Sequence, residues 1–77
     1  VSAAEAFGRA LRQRRLDAEL TQEQLALEAD LGRVFVSLLE TGKRQPTFQT
    51  MLKLAAALGC KAADIVAEAE ALVDGEP

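Results

Sequence analysis

Seventy-seven residues with no His, Trp or Tyr and a single Cys exclude much chemistry before any motif is sought. A zinc site draws about four ligands, mainly from Cys and His, and a Ser-His-Asp or Cys-His nucleophile would lack its base. No metal, no cofactor and no enzyme activity are therefore expected. The net charge of −3 is unevenly spread: residues 1–53 carry 8 basic and 7 acidic side chains, residues 54–77 carry 1 and 5, so the acid gathers in the last third.

The apolar share is 49%, of which Ala and Leu make up the bulk, with one Ile and 4% aromatics. That is an inventory of helix formers rather than strand formers, and the expected class is all-α. One Cys forms no internal disulfide, and no apolar run approaches the roughly 20 residues that span a bilayer. No membrane association and a cytoplasmic location are the expectation, with one domain over 1–77.

Ser2-Ala3-Ala4-Glu5 has capping-box spacing, with Phe7, Ala10 and Leu11 at helical intervals after it, so a first helix is predicted over about 3–17. Thr21-Gln22-Glu23-Gln24 is a second capping box, and the stripe Leu25, Ala26, Ala29 runs to a break at Asp30-Leu31-Gly32, giving a short helix over about 21–29. A third, about 32–40, has Val36 and Leu39 at core spacing with Leu31 and a left-handed ending at Thr41-Gly42. Pro46 holds Gln45 extended, Thr47 caps a fourth helix with an inward stripe of Phe48, Met51, Leu52, Ala55 and Leu58, and Gly59 ends it. A fifth, about 62–73, carries Ile65, Val66, Ala69, Leu72 and Val73 before the tail 74–77, with Asp64 in its first turn.

Two short helices joined by about three residues cross steeply instead of folding into a hairpin, which is helix-turn-helix geometry over about 21–40. In that arrangement the second helix can enter a DNA major groove while the first crosses the phosphate backbone.

The run Leu20-Thr-Gln-Glu-Gln-Leu-Ala at 20–26, with Ala29, Val36-Ser37, Leu39 through Arg44, Pro46-Thr47 and Leu54 through Gly59, resembles the Cro/repressor-like helix-turn-helix family. The resemblance covers about residues 7–66. It implies a compact five-helix bundle of the lambda-repressor-like type and a sequence-specific transcriptional regulator that binds double-stranded operator DNA as a homodimer. It further implies that Gln22 meets a phosphate, that Arg33, Val34, Ser37 and Leu38 face base edges, and that Arg15 and Glu40 form a partly buried structural pair. Helical spacing agrees for the base-facing set, because 33, 34, 37 and 38 form one stripe opposite 36 and 39. Lys43 and Arg44 follow in a loop that can approach the DNA backbone.

The chain departs from the family pattern in three places. Asp30 and Glu19 stand where the family often has Gly, and Val34 and Leu38 replace polar groups that commonly read bases. The apolar third helix leaves an alternative open: a protein-interaction module on the same fold, such as an antitoxin or adaptor with a protein partner. Cys60 reads as a small residue at the edge of the core, since a redox sensor would need an exposed, low-pKa thiol with a resolving partner. The dimer surface is expected on the fifth helix, through Ile65, Leu72 and Val73.

Overall fold

Five helices follow one another in a computed structural model that describes residues 1–75: α1 Ala3–Asp17, α2 Gln22–Ala29, α3 Arg33–Glu40, α4 Phe48–Leu58 and α5 Ala62–Asp74. The starts follow from local chemistry. Ser2 Oγ accepts from the Glu5 amide while Glu5 Oε1 accepts from the Ser2 amide, at 3.1 and 3.2 Å. Thr21 and Gln24 exchange the same pair of bonds at 3.0 and 2.8 Å. Thr47 Oγ1 accepts from Thr50, and Asp64 reaches back to the Lys61 amide. Each bond satisfies a donor that the helix geometry would leave orphaned.

The ends of α1 to α4 share one device. Glu19, Asp30, Gly42 and Gly59 all lie at positive φ, between 56° and 76°. In each case the next residue's amide bonds back five positions: Leu20 to Arg15, Leu31 to Ala26, Lys43 to Leu38, Cys60 to Ala55. This is a Schellman-type closure, which turns the chain sharply and satisfies a terminal carbonyl. Gly adopts it without strain, whereas Glu19 and Asp30 hold it against a steric penalty.

Packing is arranged around α1, which lies against α3 and α5, while α2 packs on α3 and α4, and α4 on α5. Leu11, Leu25, Val36, Leu39, Leu54 and Ile65 are fully buried where these helices meet. Burial of each such side chain contributes about 1.5–3 kcal/mol. Gly8 lets α1 approach α3 at its closest: an added Cβ would sit 2.6 Å from the Glu40 carbonyl oxygen and against that of Leu39.

Two expectations for the core are corrected. Phe48 and Leu52 of α4 are 67% and 47% exposed, and Leu54 with Ala55 takes the inward place. The neighbours α2 and α5 meet the other side of α4. Ile65, expected on an assembly surface, is fully buried in the core and cannot face a second subunit in the folded chain.

Candidate nucleic-acid interface

The αL turn at Asp30 sets α3 across α2, and Gly32, extended at φ −77° and ψ 144°, starts α3 without a side-chain cap. The rotation of this eight-residue helix about its axis is decided by its buried stripe. Val36 and Leu39 are sealed in the core, and Glu40 is buried with them. Arg33 and Val34 are left exposed, and Ser37 and Leu38 half-buried, on the outer side. Val34 is 67% exposed, so a branched apolar group stands in solvent at the position after the exposed Arg33. All four residues expected to face base edges are thus accessible from one α3 surface.

The loop after α3 is tied back to it. The amides of Lys43 and Arg44 both donate to the Leu38 carbonyl, at 2.9 and 3.3 Å, and Thr41 Oγ1 donates to that of Ser37 at 3.0 Å. The Arg44 guanidinium carbon stands 5.7 Å from the centroid of the half-buried Phe35 ring, a cation–π placement. Both basic side chains remain exposed next to the helix. No local sequence signal marks the Phe35–Arg44 contact, which forms only once the loop folds back on α3.

Beneath this surface lies the ion pair. Arg15 Nε and Nη2 donate to the two Glu40 oxygens at 2.6 and 3.0 Å, and Arg15 Nη1 donates to the Leu20 carbonyl at 2.9 Å. The Glu40 hydrogen bond holds the Arg15 pKa above its ordinary value, against the opposing effect of burial. One guanidinium therefore ties the end of α1, the turn into α2 and the end of α3. Gln22, first residue of α2, joins from the solvent side: its Nε2 donates to Glu40 Oε1 at 3.1 Å. Gln22 is half-buried there, a finer placement than the sequence offered.

Elsewhere, Arg14 forks onto Glu68 at 3.1 and 2.7 Å, linking α1 to α5 at the surface. Cys60 is half-buried against the core, and burial pushes its thiol pKa up, with Arg14 pulling it partly back. A raised pKa lowers thiolate content and reactivity. Leu72 is half-buried and Val73 41% exposed. They border separate open grooves along α5: Val73 with Ala3 and Val66, Leu72 with Arg9 and Ala10. No helix among the described residues is long and apolar enough to cross a membrane.

Comparison with known proteins agrees with this geometry. The control protein C.BamHI of Bacillus amyloliquefaciens is 38% identical over 61 residues, which span 78% of this chain and 75% of that protein. The crystal structure of the clp gene regulator ClgR from Corynebacterium glutamicum matches with a TM-score of 0.91 at 30% identity, covering 96% of this chain and 79% of the other. That of the restriction-modification controller protein C.AhdI from Aeromonas hydrophila matches with a TM-score of 0.79 at 35% identity, covering 80% and 94%. These relatives are regulators and controllers by name, not enzymes. With residues 11–65 matching the family as a whole, the chain belongs to the helix-turn-helix family, as a DNA-binding transcriptional regulator.

Proposed function

We propose that this regulator binds operator DNA sequence-specifically as a homodimer, with α3 in the major groove and the start of α2 and the loop after α3 on the flanking phosphates. The observation that carries this reading is the division of α3: Val36 and Leu39 are fully buried, while Arg33, Val34, Ser37 and Leu38 are accessible together. Arg33 can donate two hydrogen bonds to guanine O6 and N7, Ser37 can pair with several base edges, and Val34 and Leu38 suit thymine methyls. Gln22, Lys43 and Arg44 supply phosphate donors around that stripe, which position without specifying. The whole of 1–77 acts as one domain in this reading, in the cytoplasm.

A second copy is needed because a single eight-residue reading helix covers one half-site, and linked half-sites raise affinity without new kinds of contact. With Ile65 in the core, Leu72 and Val73 remain accessible among the three α5 residues expected at that contact. Selection from a random duplex pool, then a salt titration of the enriched sequence, tests the proposal. A palindromic site and a steep loss of affinity with salt are expected. Enrichment of no sequence, with a protein captured through the exposed Val34 face instead, would favour the interaction module.

A further inference from the structure

We infer that Glu40, although buried, is a positioning residue for phosphate binding and acts through the side-chain amide of Gln22. The inference rests on the DNA-binding reading and adds to it a link between the core ion pair and the phosphate contact. Gln22 Nε2 donates to Glu40 Oε1 at 3.1 Å, and the Glu40 side chain is only 2% exposed. Arg15 grips the same carboxylate with two hydrogen bonds and is itself held by the Leu20 carbonyl. The acceptor that Gln22 meets is therefore fixed in place by the fold.

A side-chain amide has two ends of nearly the same shape, an acceptor oxygen and a nitrogen with two N–H donors. Were the Gln22 amide turned over, its carbonyl oxygen would face the carboxylate, acceptor against acceptor. Glu40 thus selects the orientation that points nitrogen inward, and this nitrogen keeps a second N–H for an outside acceptor. Gln22 and Glu23 are the first two residues of α2, so their backbone amides have no intrahelical acceptor. The selected orientation puts a side-chain donor beside those backbone donors, and a phosphate oxygen can be received there without first ordering Gln22. A freely rotating Gln would lose rotamer entropy on binding, and an amide already held by Glu40 is spared part of that loss.

The test removes the anchor without changing the net charge. Replacing both members of a buried ion pair by apolar residues of similar size is often neutral for stability, so Arg15→Met/Glu40→Met is compared with the native pair. Each is measured with Gln22 and with Gln22→Met, reading affinity for the selected duplex. Loss of about fivefold is expected from the double replacement when Gln22 is present, and less than about twofold when position 22 is already Met. Equal losses in both backgrounds would overturn the inference and leave Glu40 purely structural. A second measurement needs no variant: ¹⁵N relaxation of side-chain amides in the free wild-type protein. The Gln22 NH₂ group should be ordered, unlike that of the exposed Gln49, and equal mobility of the two would also overturn it. Absence of any duplex binding by the wild-type chain would instead defeat the DNA-binding proposal, while amide order would still report on the Gln22–Glu40 link.

Discussion

Arg15 and Glu40, 25 residues apart, meet in a two-pronged ion pair with the carboxylate sealed from solvent. Removing one partner of such a pair leaves the other charge buried and uncompensated, at a cost of about 3–5 kcal/mol. Glu40→Gln should therefore lower the urea midpoint strongly. Glu23→Gln removes the same charge from an exposed first-turn position and should change stability by no more than about 0.5 kcal/mol. Equal midpoints would refute the structural role of the pair.

Two of the four positive-φ helix endings lack Gly. Glu19→Gly relieves the left-handed strain at φ 59°, partly offset by the greater freedom of Gly in the unfolded chain. A net gain of about 0.5–1 kcal/mol is expected. Asp30→Gly should gain less, because Asp tolerates this region better. Thermal melts measure both, and destabilisation by Glu19→Gly would contradict the assigned geometry.

Gly8 illustrates the opposite substitution. Ala is the better helix former by about 1 kcal/mol, yet its methyl group would collide with the Glu40 and Leu39 carbonyls. Gly8→Ala should destabilise by about 1–3 kcal/mol, the range for overpacking a filled contact. A stabilised Gly8→Ala variant would mean that α1 and α3 lie farther apart.

Assembly is tested with Leu72→Glu, which should give a folded monomer with weakened duplex binding, since loss of one half-site removes the linked second event. Phe48→Glu is the comparison, because Phe48 is the more exposed apolar residue. Sedimentation should show Leu72→Glu as monomer and Phe48→Glu as dimer. The reverse pattern would move the interface from α5 to α4.

Reading and anchoring separate at Arg33 and Lys43. Arg33→Ala should lose about 1–3 kcal/mol on the selected duplex and relax preference at one guanine. Lys43→Ala should weaken all duplexes alike and lower the salt slope by about one unit. Replacing thymine by uracil in the half-site should weaken binding through Val34 and Leu38. Uniform weakening by both variants would make Arg33 a phosphate contact.

Helix boundaries were legible because caps are local. Ser2 with Glu5, Thr21 with Gln24, Gly42 and Gly59 act within a few residues of chain, and the observed helices begin and end at them. The outward stripe of α3 was legible for the same reason: once Val36 and Leu39 point inward, helical spacing turns 33, 34, 37 and 38 outward. Gly8 carries a local signal too, since a Gly inside a helix otherwise lowers stability and calls for a packing reason.

Local sequence is enough for the succession of five helices, the tight α2–α3 turn and the pairing of charge and apolar surface on α3. Each of these depends on contacts within a few residues. Tertiary structure decided the rest. Helix α4 has apolar residues on several sides, so periodicity could not tell that Leu54 goes in and Phe48 and Leu52 stay out; its neighbours settled that. Ile65 and Leu72 look alike in a helical pattern, but Ile65 is fully buried in the common core while Leu72 packs against it only half-buried. The Gln22–Glu40 bond joins residues 18 apart whose meeting requires α2 and α3 to be packed already. Long-range proximity is a property of the assembled bundle, because burial depends on which surface arrives from elsewhere in the chain.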